Sequence, residues 1–536
     1  MNTLHPFQEE AVDRIVDRKQ LLVAYEMGLG KTPLTISALE QLMDGEHIQH
    51  TVLIVVLASL KYQWEKEINK WAPDSKVAVI DGPPAKRRKI YDALVSNEPV
   101  DYVICNYETV VRDDFYQTVR WGAIVLDEAT SIKSFRSKRA KKVKKLAKNT
   151  EVRIALTGTP IANGKPEELF SMMEFVDPSV LGRFDLFDRA FIIRNPNGWV
   201  ERYRNLPTLH RAMEPAMVRK RQADEDVAPF LPDVLDMPPE LISFDRNSAS
   251  LYRHIARELI TVLDEAAELF GAGWNFNVAS HYGQGGQDAN PEEVAMRGEI
   301  MSRIQALRML CSHPEALRVS ANNFASRLTE QSEVVDGPGT GSIYAYSLRE
   351  QGMLDVNMGA PKLDAVAQRL RDFVDIAPEN KAVVFSSFRT VMPIMADELS
   401  ALSPVQFHGG MNAKQKEAAK VRFQTDPNCR VFISSDAGGF GVDLPQANLL
   451  INYDLPWASA TAMQRNSRII RASSDWSQVR IERYLMDGTL ELRQWDALRY
   501  KQDVSNAIID GGRTDDRGNV LSTVTALREI LSACLV

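Results

Sequence analysis

Nine short apolar runs, rich in Val and Ile and separated by helical patterns, constrain this 536-residue chain more than any other feature. In the first half they are LLVAY (21–25), TVLIVVLA (51–58), DYVICNY (101–107), GAIVLDE (122–128) and VRIALTG (152–158). The second half holds KAVVFSS (381–387), CRVFISS (429–435), NLLINYD (448–454) and VRIERYLM (479–486). Residues apolar at consecutive positions suit strands covered on both faces, as in a parallel sheet flanked by helices. The runs are too short and too β-branched for buried helices. The expected fold class is therefore α/β, with two lobes in tandem.

Between the two sets the periodicity changes. Leu169, Met172, Met173 and Val176 fall at i, i+3, i+4 and i+7, with Pro166 at the start and Pro178 beyond the end. Leu259, Val262, Leu263 and Ala266 repeat that spacing, and Ile300, Ile304, Leu307 and Cys311 form a similar stripe. Residues from about 165 to 320 are accordingly expected to be largely helical, with polar, Gly-rich loops at 271–291 and 329–342. The expected boundaries are an N-terminal lobe over 1–236, with a helical protrusion from about 165, a helical insertion with loops over 237–360, a C-terminal lobe over 361–500 and a helical tail over 501–536.

Composition excludes several classes. Hydrophobic residues make up 44% and charged residues 25%, which is incompatible with a collagenous, disordered or disulfide-scaffold chain. Cys105, Cys311, Cys429 and Cys534 lie far apart without a Cys-x-x-Cys pair, a usage that fits a reducing cytosol. The opening MNTLHPFQEE has neither a basic region nor an apolar core, and the longest apolar stretch, 52–60, is about half what a membrane helix needs. A cytoplasmic protein of a bacterial or virus-infected cell, with the nucleus as the alternative compartment and no membrane partner, is expected. Net charge is −7, yet residues 131–150, SIKSFRSKRAKKVKKLAKNT, carry nine Lys or Arg and no acid. A second run, Lys86-Arg87-Arg88-Lys89, adds to the asymmetry. Such stripes on an acidic body can be solvated helix faces or polyanion contacts, because screening acts beyond about 8–10 Å.

Three strand ends carry chemistry. LLVAY runs into EMGLGKT (26–32) and then a helical pattern with Pro33 in its first turn, which is the strand–turn–helix context of a phosphate loop. Gly28 and Gly30 would let backbone N–H groups close on phosphate oxygens at a helix N-terminus. Lys31 would reach the β- and γ-phosphates and Thr32 would ligate Mg²⁺; Tyr25 stands where the usual pattern has its first glycine. GAIVLDEAT ends in Asp127, placed to hold Mg²⁺, and Glu128, placed to polarise an attacking water. ALTGTP brings Thr157 and Thr159 to the same edge. Together these point to ATP hydrolysis.

In order along residues 4 to 486, the segments LHPFQ, EMGLGKT, VLIVVLASLKYQWEKEINKW, ICNYETV, LDEAT, LTGTPIANGKPEELFSMMEFVDP, FSSF, FHGGM, SSDAGGFGVDLPQANLLINYDLPW and QRNSRIIR resemble successive motifs of the Swi/Snf family of ATP-dependent DNA translocases, within helicase superfamily two. That family normally lacks the first loop glycine. The resemblance implies that Gln8 reads adenine. It implies that Arg468 and Arg471 meet the γ-phosphate, Arg471 as arginine finger, with Gln464 and Arg465 ordering the junction. Asp443 resembles the motif acid that binds ribose or orients an arginine, and Gly438, Gly439 and Gly441 would admit close backbone approach. Three departures stand out. Thr130 replaces the His that usually ends the acidic box, Ser467 stands where the arginine motif usually has Gly, and Ala472-Ser473-Ser474 replaces the usual Ile-Gly-Gln.

The resemblance implies two RecA-like lobes, ATP and Mg²⁺ in the cleft between them, and duplex or branched DNA held through its backbone. The expected activity is a DNA-stimulated ATPase that tracks along or remodels DNA. A strand-separating helicase, an ATP-switched DNA-binding module and an RNA-directed motor are the alternatives. Cys311-Ser312-His313 reads as a structural turn, and Trp457 and Trp476 as packing residues.

Overall fold

The computed structural model describes residues 3–96, 100–161, 165–194, 200–271, 274, 290–329, 342–436, 442–472, 474–510 and 524–533. Gly438, Gly439, Gly441, Ser473 and Cys534, and most of the two Gly-rich segments, lie outside the described residues. The chain divides into two compact units. One is Met1–Pro232 with Lys501–Asp516, the other Asp233–Tyr500 with Arg517–Val536. Both are parallel α/β lobes, as the apolar runs require.

The strands of the first unit are β1 (Gln20–Tyr25), β2 (Val52–Val56), β3 (Val77–Val79), β4 (Tyr102–Asn106), β5 (Ala123–Leu126), β6 (Val152–Leu156), the hairpin β7 (Ile192–Arg194) and β8 (Val200–Tyr203), and β9 (Met217–Lys220). Its main sheet runs β3-β4-β2-β5-β6-β1-β9, and every pairing in it is parallel. All five residues of β2 are fully buried, as are Leu21 to Tyr25 of β1, which is why these runs are apolar without alternation. Helices Pro6–Arg18 and Lys31–Asp44 contribute Ala11, Ile15, Leu34 and Leu39 to the same core.

In the second unit, β10 (Asp233–Asp236), β11 (Glu240–Ile242), β12 (Ala382–Phe385), β13 (Val405–Phe407), β14 (Val431–Ser434), β15 (Leu449–Asn452) and β16 (Gln478–Met486) form a parallel sheet. Its order is β10-β16-β15-β12-β14-β13, with β11 also on β16. Long helices Arg246–Phe270 and Pro291–Ser312 pack with helix Val524–Ala533 in a separate apolar cluster of this unit.

The stretch read as largely helical, 165–320, is partly extended: β7 to β11 all fall within it. Strands of three or four residues are too short to impose a period of two on the sequence, and β10 and β11 present exposed side chains. Pro166 does open a helix, Pro166–Val176, and the Asp177 side chain caps the next turn by accepting from Ser179 N–H. His313 Nδ1 accepts from the Glu315 N–H at the start of helix Pro314–Thr329, so the Cys311-Ser312-His313 turn acts as a cap there. Trp476 packs in the sheet core with its indole on the Gln446 carbonyl at 2.9 Å, and Arg308 lies 4.7 Å over the Trp457 ring.

Candidate functional site

Because the first sheet is wholly parallel, the C-terminal ends of its strands share one edge, the edge at which open α/β sheets bind ligands. Three neighbours in the order β5-β6-β1 deliver Asp127-Glu128, Thr157-Gly158-Thr159 and the loop 26–30 to that edge.

The loop turns on Gly28 and Gly30, whose φ values of 86° and 69° lie in the left-handed region that glycine enters without a Cβ penalty. A side chain at Gly30 would also collide with Gln8, since a Cβ there would stand 2.2 Å from its Nε2. Gln8 is buried and bonded at both ends of its amide, with one N–H and one lone pair to spare. Its Nε2 donates to the Leu29 carbonyl at 3.1 Å, and its Oε1 accepts from the His5 N–H at 2.8 Å. The residue expected to read adenine thus braces the phosphate loop from the first helix. Lys31 Nζ donates to the carbonyls of Tyr25 at 2.9 Å and Glu26 at 3.1 Å, which folds its side chain back across the loop. Thr32 is half-buried at the second position of the following helix. Tyr25, in place of a first glycine, ends β1 fully buried with its hydroxyl donating to the Phe7 carbonyl at 2.5 Å.

Asp127 is buried at the end of β5. Trp64 Nε1 donates to its Oδ2 at 2.7 Å and the Glu128 N–H to its Oδ1 at 2.9 Å. Burial pushes its pKa above the ordinary carboxylate value, while the Trp64 indole, the Lys31 charge and the Glu128 N–H pull in the opposite direction. Each carboxylate oxygen of Asp127 keeps a lone pair, and a carboxylate and a Thr hydroxyl are the oxygen donors that hard divalent cations take. The donor chemistry of Asp127 and Thr32, at the same sheet edge, suits Mg²⁺. Glu128 sits at φ 49°, ψ 57°, a left-handed conformation that costs a non-glycine residue about 1–3 kcal/mol. The buried Tyr107 hydroxyl donates to the Asp127 carbonyl at 2.7 Å and holds this turn. Gly158 packs against the loop, since a Cβ there would meet Met27 Cγ at 2.7 Å. The Thr157 hydroxyl oxygen accepts the Thr159 N–H at 3.1 Å.

Trp64 and Tyr107 lie inside the segments VLIVVLASLKYQWEKEINKW and ICNYETV, yet nothing in those motifs marks either as a member of this site. The signal for Trp64 lies in the alternation of helix Lys61–Trp71, where Trp64 and Ile68 are one turn apart on the buried face.

In the second unit the arginines separate into two roles. Arg465 is fully buried at the ends of three neighbouring strands. Its Nε donates to Asp436 Oδ1 at 2.6 Å, its Nη1 to the Asp454 carbonyl at 2.6 Å and its Nη2 to the Ser387 hydroxyl at 3.0 Å. It ties β12, β14 and β15 together. Arg468 and Arg471 both face Asp443, at 3.9 and 2.5 Å. Asp443 thus has the partners of an arginine-orienting acid. The Nε of Arg471 is buried with no hydrogen-bond partner among the described residues. Gln464 is half-buried on helix Ser459–Asn466, seven residues before Arg471 in sequence.

The basic runs also divide. Helix Lys138–Ala147 buries Ala140, Val143, Leu146 and Ala147, and its Ser137 cap accepts from the Ala140 N–H. Lys138, Lys141, Lys145 and Lys148 are exposed on the other side. Lys142 pairs with Asp114 at 2.7 Å, Arg139 with Glu108 at 2.7 Å, and Lys144 turns inward to Glu174. Of the shorter run, Arg87 is buried in a two-pronged bond to Asp113 at 2.8 and 3.0 Å.

A parallel α/β unit with a phosphate loop and an acidic strand end, followed by a second parallel unit with an acid-held arginine pair, defines the class of tandem phosphate-loop proteins. Residues 7–316 match the SNF2-related domain and residues 362–473 the helicase conserved C-terminal domain. The first match alone spans more than half of the sequence: the chain belongs to the SNF2-related family. It is similar to the putative ATP-dependent helicase/translocase YwqA of Bacillus subtilis, 25% identical over 513 residues that make up 95% of this chain and 49% of that protein. The DNA repair and recombination protein RAD54B of Gallus gallus is 25% identical over 561 residues, covering 99% of this chain and 57% of that one. A solved structure of the Sulfolobus solfataricus SWI2/SNF2 ATPase core in complex with dsDNA aligns with 95% of this chain and 94% of its own, at 23% identity and a TM-score of 0.41. The chain spans about half the length of these two curated relatives and less of others, such as 28% of snf22 of Schizosaccharomyces pombe. Among the described residues no helix is long and apolar enough to cross a membrane.

Proposed function

We propose that this protein hydrolyses ATP and uses the cycle to move along or remodel duplex or branched DNA. The observation that carries the reading is the clustering, on adjacent strand ends of one sheet, of the Gly28–Gly30 loop with Lys31 and the strained Asp127-Glu128 turn. Backbone N–H groups of the loop and the start of helix Lys31–Asp44 bind the phosphates, with Lys31 neutralising the β- and γ-oxygens. Thr32 and Asp127 would hold Mg²⁺, which when bound would supply charge stabilisation to the phosphate oxygens. Glu128 orients the attacking water. Arg471, presented by Asp443 and carrying a buried donor without a partner, supplies the remaining positive charge, with Arg468 beside it.

DNA engages the exposed lysines of helix Lys138–Ala147 and its end, a contact with phosphates that carries no sequence code. A face left cationic after three of its neighbours are paired internally supports this reading over plain solvation. The cytoplasm is the compartment that fits three buried, unpaired cysteines among the described residues.

The test is the ATP hydrolysis rate with single-stranded, duplex and forked DNA and with RNA, alongside Lys31→Ala. Stimulation by duplex or forked DNA that vanishes in Lys31→Ala is the expected result. A strand-displacement assay separates a tracking motor from a strand-separating helicase. Saturable DNA binding with no turnover by the intact protein would replace the motor by an ATP-switched binding module, and preferential stimulation by RNA would replace DNA as the track.

A further inference from the structure

The phosphate loop is anchored from an unexpected part of the chain. Arg219, on the edge strand β9, uses three nitrogens. Nη1 donates to the Ala24 carbonyl at 2.9 Å, Nη2 to Glu26 Oε1 at 2.9 Å, and Nε to Asp510 Oδ1 at 3.0 Å. Glu26 opens the loop EMGLGKT, and its carboxylate is held at both ends, since Oε2 accepts the Gln222 N–H at 2.9 Å. Gln222 Nε2 donates in turn to the Met27 carbonyl at 2.9 Å. The Glu26 backbone is no less committed: its N–H donates to the Lys220 carbonyl and its carbonyl accepts from Lys31 Nζ.

Asp510 follows helix Leu490–Ile509 directly, with its N–H on the Asn506 carbonyl at 2.7 Å, and stands 291 residues from Arg219. Its side chain is 13% exposed, against 15% for Arg219 and 17% for Glu26. One guanidinium is thus shared between two largely buried carboxylates. Charge-assisted bonds in such a setting are strong and their geometry is stiff. The surface position of an ordinary ion pair would carry no such consequence.

We infer that Asp510 is a positioning residue for the phosphate loop, fixing Arg219 so that Arg219 fixes Glu26 and the root of the loop from which Lys31 projects. The inference rests on the ATP-site reading above and extends it to the C-terminal segment. Without Asp510 the guanidinium keeps its bonds to Ala24 and Glu26 but loses the third anchor on Nε, so the root of the loop is held less stiffly in its preset shape for phosphate. The cost falls on nucleotide binding, because a preorganised loop contributes equally to the ground and transition states.

The experiment uses the full chain and titrates a fluorescent ADP analogue in parallel with ATP turnover for wild type, Asp510→Asn, Asp510→Glu, Arg219→Ala and the Arg219→Ala/Asp510→Asn double variant. Asp510→Asn is expected to weaken ADP binding and raise KM together by roughly 3- to 10-fold, with kcat changed less than about twofold, the scale of coupling through one bonded relay. Asp510→Glu restores most of the loss, and the double variant is no worse than Arg219→Ala alone. Wild-type affinity and KM in Asp510→Asn would overturn the inference, as would strictly additive effects in the double variant. A loss that tracks a lowered melting temperature and is not rescued by Glu would also overturn it, leaving a purely structural pair. If wild type itself fails to bind the ADP analogue, the ATP-site reading falls, an outcome distinct from a silent Asp510→Asn in a wild type that binds.

Discussion

Trp64 donates its indole N–H to Asp127 across 2.7 Å, so a residue of the third helix of the first unit sets the orientation of the carboxylate at the end of β5. A carboxylate held this way has one preferred direction for its remaining lone pairs; if it holds Mg²⁺ as proposed, its outer partner matters about 10–100-fold, as outer partners of metal ligands commonly do. Trp64→Phe keeps the ring and removes the donor. It is expected to raise the Mg²⁺ concentration for half-maximal ATP turnover by roughly tenfold, by the same principle. A Mg²⁺ titration of turnover checks this, and an unchanged half-saturation point would show that the bond only packs the helix.

Glu128→Gln separates binding from hydrolysis. The amide keeps the size of the side chain at a left-handed backbone position and leaves Asp127 untouched, but it cannot polarise water. ATP affinity is expected to stay within about twofold while turnover falls by roughly 10²-fold or more, the range of a lost general base. Equilibrium binding beside a steady-state rate decides it; lost affinity would mean that Glu128 shapes the phosphate site itself.

Arg471→Ala should leave the second unit folded, because Arg465, not Arg471, knits its strand ends. The DNA-stimulated rate is expected to drop by roughly 10³-fold, at the low end for an arginine finger. Asp443→Asn, which only releases the arginine, should lose less. Retained stimulation in Arg471→Ala would pass the role to Arg468.

The lysine face makes a prediction in salt. Replacing Lys138, Lys141 and Lys145 by Gln is expected to weaken binding to every DNA sequence alike and to flatten the log-affinity against log-salt slope by up to ~0.9 per lost phosphate contact. DNA-independent ATP hydrolysis should be unchanged. Should affinity and slope both survive, the face is a solvated one.

Asp113 gives a pH signature. Burial alone would raise its pKa, but the hydrogen bonds from Arg87 and Tyr91 outweigh it and hold the carboxyl below its ordinary value. A depressed carboxylate contributes stability that is present above its unfolded pKa, about 3.9, and lost as pH falls through the lower folded value. Asp113→Asn leaves Arg87 largely buried without its charge partner and is expected to cost about 2–3 kcal/mol at pH 7. Urea unfolding of the first unit, followed for both proteins, should show that gap narrowing below pH 4. A gap independent of pH would assign the loss to packing.

Continuous apolar runs, spaced by helical patterns, by themselves determined that this chain is α/β with two parallel lobes. The same runs located the strand ends that carry Gly28, Gly30, Lys31, Asp127 and Glu128, because continuous burial of a strand and the turn after it are written in adjacent residues. The edge strands β3, β9, β10 and β13 were not legible: none of them is buried along its whole length, so no continuous apolar run marks it, whereas the four-residue strands β5, β12, β14 and β15 are buried throughout. Tertiary structure alone decided the partners. Gln8 lies 21 residues from the loop carbonyl it holds, Trp64 lies 63 from Asp127 and Asp510 lies 291 from Arg219. It likewise decided that Arg465 is interior while Lys138 is not, and that Arg87 and Lys144, in runs of like charge, turn inward to acids. A polar side chain carries no local mark of its partner. Which acid or carbonyl it meets depends on strand order and on where the returning chain is packed, and those are set by the burial of apolar faces brought together from the whole sequence.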